Sequence, residues 1–229
     1  MAFGDSLVIS DLQIPYHEPK ALEFCCYVKK HYKIKDEHVY CVGDESDNYW
    51  GGAWKKSPDA AHTARQELKA SQEEFSRWYN KFPLMKIAIS NHGTRWMRKA
   101  FDAEIPSQMI RSYCDIIQSP EGWQWRQAWD VKDKFPWRVE HGDHWGGQYP
   151  HKQAALHLGR SVVIGHHHSL AGIEHMQTAT QQIWGMITGC LIDFESYAFD
   201  YARGSKFKPC LGVGLVTNNG RTPQWLPFE

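Results

Sequence analysis

A layered α/β fold is what this chain predicts, on three observations. Short apolar runs rich in β-branched residues recur along its length. Amphipathic stretches at helical spacing alternate with them. Several of the runs stop at an Asp, Asn or His, as buried strands do when their polar chemistry sits in the loops beyond. The length, 229 residues, suits one domain spanning 1–229. With 42% hydrophobic and 23% charged residues, the chain has enough apolar mass for a full core.

In chain order, strands are expected at 7–10, 39–43, 84–90, 137–140, 161–165 and 211–217. A first helix is expected over 20–30. The best helix lies between the second and third strands, where Ala64, Leu68, Phe75, Trp78 and Phe82 fall on one helical face. Ser57-Pro58 reads as its N-cap and first turn. A further helix is expected over 151–158. The stretch 121–137, with Trp123, Trp125, Trp129 and Trp137, has no clear assignment. Several short β-like pieces follow Ile183.

Composition narrows the class. Formal net charge is zero, whereas proteins that hold nucleic acid mainly by neutralising phosphates are usually strongly basic. No stretch approaches the ~18 apolar residues of a membrane span, so no membrane partner is expected. The first residues lead into a strand and carry no basic and apolar leader. A cytoplasmic location is expected, the host cytoplasm if the chain is phage-encoded. The six cysteines show no CxxC pair and no disulfide spacing, which predicts free thiols.

The chemistry lies at the ends of the apolar runs. "SLVIS" is followed by Asp11, "VYCVG" by Asp44, "KIAIS" by Asn91-His92, "WRVE" by His141 and "SVVIG" by His166, with His168 two residues on. Neighbouring strands lie about 4.8 Å apart, so adjacent ends can converge on one point. Carboxylate, amide oxygen and imidazole suit borderline divalent ions. One aspartate shared by two ions would hold them about 3.5–4 Å apart, the spacing of two-metal phosphoester hydrolysis. Singly, Asp44 and Asn91 also read as turn residues and His141 as a core histidine. Together, in order, they point to a shared site. In an extended segment His166 and His168 share a face and His167 points away.

The stretches "SDLQIPYH", "VGDESDN", "SNHGTR", "VEHGD" and "IGHHHS" resemble, in this order, the motifs of the calcineurin-like metallophosphoesterase family. The look is closest to small bacterial and phage-encoded members, related to SbcD-type nucleases. The resemblance implies a four-layer αββα sandwich of two mixed β-sheets flanked by helices. It implies two divalent ions, manganese first, with iron, zinc, nickel or magnesium as alternatives. Asp11 and His168 would hold the first ion, and Asn91, His141 and His166 the second, with Asp44 between them. A metal-bridging hydroxide would attack phosphorus in line. His92 would act at the leaving oxygen as general acid or charge stabiliser.

Two positions depart from the family pattern. Gln13 stands where a histidine ligand is usual, and is taken as a ligand ahead of His17. Gly93 replaces an acidic residue. Arg95 is expected either to bind a substrate phosphate or to be solvated, and Asp47 to support its loop. Trp50, Trp54 and Trp96, with Lys55 and Lys56, favour a nucleotide-containing diester. The expectation is therefore a metal-dependent phosphodiesterase or nuclease whose partner is DNA, RNA or a nucleotide. The alternatives are a phosphomonoesterase or a catalytically degenerate metal-binding scaffold. "GMITGCLIDFESYAF" is expected to form the second sheet rather than a homodimer interface.

Overall fold

The computed structural model describes residues 4–53, 55–202, 204 and 206–229. Two sheets form. The first contains β1 (Ser6–Ile9), β2 (Val39–Cys41), β3 (Met85–Ala88), β4 (Trp123–Arg126), β10 (Gly212–Thr217) and β11 (Thr222–Pro227), in the order β11-β10-β1-β2-β3-β4. β1 to β4 are parallel, and β10 and β11 run antiparallel at one side. The second contains β5 (Ala128–Val131), β6 (Trp137–Glu140), β7 (Ser161–Ile164), β8 (Ala171–Gln177) and β9 (Gln182–Thr188), in the order β5-β6-β7-β9-β8. Its middle strands β6, β7 and β9 are parallel, and its edges are antiparallel.

Side chains alternate across a strand, and the alternation sorts the core into three slabs. Leu7 and Ile9 of β1, Val39 and Cys41 of β2 and Met85 and Ile87 of β3 face α1 (Ala21–His31) and α2 (Ala64–Lys81), meeting Leu22, Cys25, Phe75 and Trp78. Val8 and Tyr40 face the opposite way. They pack on Trp137, Val139, Val163, Trp184 and Met186 of the second sheet. Val162 and Ile164 of β7, with Ile183 and Ile187 of β9, turn outward onto Ala154 and Ala155 of α5 (Pro150–Leu158). Three apolar interfaces between four layers make an αββα sandwich. Each large side chain buried in them contributes roughly 1.5–3 kcal/mol.

Several elements differ from the sequence reading. The cap of α2 is Thr63, not Ser57. Thr63 and Gln66 form a reciprocal capping box that satisfies two backbone donors. The Ser57 hydroxyl instead donates to Asp200 at 2.6 Å. The buried face of α2 runs through Phe75 and Trp78 as expected, but Glu67 and Ser71 are buried in its first half while Leu68 is exposed. The unassigned stretch 121–137 supplies β4, β5 and the start of β6. Its tryptophans are placed by their indole N–H groups: Trp123 donates to the Phe82 carbonyl at 2.7 Å and Trp129 to that of Ile87 at 2.9 Å. Residues 185–188 of the C-terminal apolar segment lie in β9, inside the second sheet. The six cysteines are free thiols. Among the described residues no helix is long and apolar enough to cross a membrane.

Candidate metal centre

β1, β2 and β3 are parallel neighbours, so their C-terminal ends emerge side by side. β6 and β7 do the same in the facing sheet. The backbone then ties the emerging loops together. The N–H groups of Leu12 and Gln13 donate to the Asp44 carbonyl, and Ile14 N–H to that of Glu45. Gly165 N–H donates to the His141 carbonyl, and His166 N–H to the Asp11 carboxylate at 2.9 Å. A Cβ on Gly165 would come within 2.4 Å of Asp11 Oδ1, so only glycine admits this approach. Gln13, Asp44 and His166 have φ of 55°, 49° and 67°. Left-handed backbone at three non-glycine residues in one site is strain held by the surrounding structure.

Two donor sets result. Asp44, His141 and His166 present ligand atoms all within 4.8 Å of one another, and so do Asp11, Asp44 and His168. Asp44 belongs to both. Asn91 joins the first set, its Oδ1 lying 2.7 Å from His141 Nε2. His166 Nδ1 is 3.2 Å and Asp44 Oδ1 3.4 Å from that same nitrogen. In the second set, His168 Nε2 lies 3.2 Å from Asp11 Oδ2. Gln13 reaches this half, its Nε2 3.2 Å from Asp44 Oδ2 and 3.3 Å from His168 Nε2. His17 does not: it is 3.6 Å from Glu74 on α2 and edge-on to Trp78. His167 turns away to the Trp145 carbonyl at 2.8 Å.

The donor chemistry fits cations. His141 Nδ1 is 3.0 Å from the Val42 carbonyl. A proton donated there leaves the Nε2 lone pair aimed at the oxygens of Asn91 and Asp44, so acceptors crowd one point. Asp11 Oδ1 and Gln13 Oε1 are buried without a hydrogen-bond partner. A Gln13 amide turned by 180° would present its oxygen to the Asp44 carboxylate and His168, and a cation between the two oxygens would offset their repulsion. Titration follows the same logic. Burial works against charge on Asp44, but His141, His92 and a Ser90 hydrogen bond outweigh it and hold the carboxyl well below its usual range. Burial also opposes charge on His141 and His168. Asp44 raises the first, and the hydrogen bond to Asp11 raises the second. His166 is pushed down by burial and by His141.

Beside the donors stands a second group. His92 N–H donates to Asp44 Oδ1 at 3.1 Å, and its ring lies 3.8 Å from Asp44 Oδ2. His92 Nδ1 is 3.0 Å from both the Asp47 carboxylate and the Asp47 carbonyl. Its Nε2 faces the Arg95 guanidinium at 2.6 Å. Arg95 also donates to the Asp47 carbonyl at 2.7 Å. It opens α3 (Arg95–Asp102), and it stands against the 3-10 turn Tyr49–Gly51. A Cβ on Gly51 would come within 2.9 Å of Arg95 Cβ. Trp50 is pinned by its indole N–H to the His62 carbonyl, and Trp96 is partly exposed on α3. Trp54 lies outside the described residues.

Supporting residues escape a reading by motif. Glu67 accepts the Tyr49 and Trp50 N–H groups, which holds the turn beside Arg95. Asn48 donates to the His92 carbonyl at 3.0 Å, and Arg98 to the Asn91 carbonyl at 2.6 Å. In the sequence Glu67 reads as a solvated charge on an amphipathic helix, and no motif marks Asn48 or Arg98.

No family model matches the chain, and no curated protein matches it. Among solved structures, Vps29 from Chaetomium thermophilum resembles it with a TM-score of 0.44 and 11% identity, over 97% of this chain and 86% of that one.

Proposed function

We propose that this protein is a dinuclear metal-dependent phosphoesterase that favours phosphodiesters containing a nucleotide. One observation carries the reading: two three-residue donor sets share the buried carboxylate of Asp44. A shared carboxylate between two sets of nitrogen and oxygen donors is what a pair of borderline divalent ions requires, with manganese first and iron, zinc, nickel or magnesium as alternatives. Asp11, Gln13 and His168 would hold one ion, and Asn91, His141 and His166 the other. When bound, such a pair supplies Lewis acidity, neutralising phosphoryl oxygens and making water a better nucleophile at neutral pH.

The chain's own residues do the rest. Asp44 and Asp11 fix the donor histidines. The Val42 carbonyl sets the His141 tautomer. Asp47 orients His92 through Nδ1, leaving Nε2 to exchange a proton with a leaving oxygen once Arg95 turns from it. Arg95 carries a planar fork of donors, suited to two non-bridging phosphoryl oxygens. In this scheme the guanidinium moves from His92 to substrate, the freed Nε2 takes up a proton from solvent, and that proton passes to the departing alkoxide.

The test is a panel of metals against bis-p-nitrophenyl phosphate and p-nitrophenyl phosphate, with metal content measured by elemental analysis. The expected result is two metal equivalents and faster turnover of the diester. Preference for the monoester would make the protein a phosphomonoesterase. Turnover of neither substrate by metal-replete protein would leave a metal-binding scaffold.

A further inference from the structure

The chain is neutral overall, yet its cations are not evenly spread around the metal centre. A cleft of about 790 Å³ opens beside Asn91 and is lined along one side by α3. Arg95, Arg98, Lys99 and Phe101 line it, and among the described lining residues Asp102 is the one acid. Arg95, Arg98 and Lys99 are three and four residues apart and so share a helical face. Phe101 follows Arg98 by three residues, about 4.5 Å along the axis. None of the α3 side chains is buried, and Phe101 is 82% exposed. A core-facing helix would not present its aromatic ring to water beside three cations.

Arg95 is paired with the Asp47 carboxylate at 3.4 Å, but the next two charges on the face are held without being neutralised. Arg98 donates to the Asn91 carbonyl and Lys99 to the Trp50 carbonyl at 2.9 Å, both uncharged partners. Across the Tyr49–Gly51 turn, Lys56 donates to the carbonyls of Tyr49 and Gly52. Burial lowers the Lys56 pKa, and Lys99 and Arg95 lower it further by repulsion. Cations packed until they repel one another are poised for an anion.

We propose that α3 guides a single strand of nucleic acid into the metal centre. Arg98 and Lys99 hold phosphates that neighbour the scissile one, and Phe101 stacks on a base. The proposal rests on the phosphodiesterase reading and extends it from a diester group to a polymer. A mononucleotide would leave the far end of this face without a phosphate. A single strand is favoured over a duplex because Phe101 offers a ring face, and only an unpaired base can present its own.

The test is binding, so it does not depend on turnover. Fluorescence anisotropy of labelled oligothymidylate is measured with the full chain, in EDTA and again with calcium, over a range of salt. Lys99→Ala is expected to weaken binding about fivefold at low salt and to reduce the slope of log affinity against log salt by about 0.7, one single-strand phosphate contact. Phe101→Ala is expected to weaken it about fivefold or more with the slope unchanged. Both side chains are exposed, so melting curves should match the parent. Lys30→Ala on α1 is the control and should change neither quantity. The proposal is overturned if no oligonucleotide binds, if Lys30→Ala weakens binding as much as Lys99→Ala, or if a duplex or polyglutamate binds as tightly as the single strand. Diester hydrolysis without oligonucleotide binding would remove the guide and keep the phosphodiesterase. Lys99-dependent binding without hydrolysis of any diester would do the reverse.

Discussion

The rim of strand ends and the wall beside it are built differently. The rim carries Asp11, Asp44, His141, His166 and His168 on loops that leave parallel strands and are knitted by backbone hydrogen bonds. Asp11, Asp44 and His141 are almost fully buried there. The wall carries a buried His92 on a turn and Arg95 on a helix with no buried residue, braced from the side by Asp47, Asn48 and Glu67. A rim of this kind can fix ions because its donors cannot move apart. A wall of this kind can rearrange, as exchange of Arg95 between His92 and a substrate requires. Damage to the rim should therefore remove metal and activity together, and damage to the wall should remove activity alone.

Asp44→Asn should have the largest effect. It takes the shared charge from both donor sets, and kcat/KM with bis-p-nitrophenyl phosphate should fall at least about a thousandfold. Metal content should fall from two equivalents to one or none, read by elemental analysis. A variant that keeps two equivalents would break the argument that Asp44 joins the two halves. Next comes His92→Ala, which should cost about 100-fold to 10,000-fold in kcat. Its metal content should stay at the parent value, because His92 lies outside both donor sets. Metal loss in this variant would erase the distinction between rim and wall.

The rim is itself uneven, and Gln13→His tests that. Gln13 brings an amide to Asp44 and His168, as Asn91 does in the other half, but that half has two histidines, His141 and His166, where this one has a single imidazole. An imidazole at position 13 should tighten the weaker site by about tenfold, measured by competition with a chelator. No change in the weaker of two binding constants would mean that Gln13 does not face an ion.

The rim was legible in the sequence, and so were His92, Arg95 and Asp47 of the wall, but the braces Asn48 and Glu67 were not, for physical reasons. A polar residue directly after an apolar run marks a strand end whatever the tertiary structure, so Asp11, Asp44, Asn91, His141 and His166 could be gathered before any fold was known. The layers followed from unbroken apolar runs such as "SLVI" and "SVVI", buried on both faces, alternating with amphipathic helical stretches. What pattern cannot show is conformation fixed from a distance. The left-handed φ at Gln13, Asp44 and His166 depends on loops from three strands meeting. The Ser57-Pro58 signal was outweighed by the Thr63–Gln66 capping box, which satisfies one more donor. The tryptophans of β4 and β5 find carbonyls on neighbouring segments, a partner no local window contains. Glu67 was hidden best, because a glutamate in an amphipathic helix reads as solvated.

Glu67 supplies the smallest and most specific prediction. Burial raises its pKa to about 7, against the opposing hydrogen bonds from Trp50 and Tyr49. Its folded-state pKa thus lies above the ordinary glutamate value, so the folded protein binds the extra proton between pH ~4.5 and ~7. The stability this confers is complete below the unfolded pKa and is lost as pH rises through about 7, a change on the order of 3 kcal/mol. Glu67→Gln removes the titration while keeping an oxygen for the Tyr49 N–H. Its melting temperature should therefore vary less between pH 5 and pH 8 than the parent's, by about 5 °C or more. The effect belongs to the wall. Metal content at pH 8 should match the parent, and only kcat should shift, through the turn beside Arg95. Parallel melting profiles in the two proteins would show that the Glu67 carboxylate is not the group that carries the pH dependence. A loss of metal in Glu67→Gln would show that wall and rim are one unit, coupled through Tyr49, which packs on Tyr16 beside Gln13.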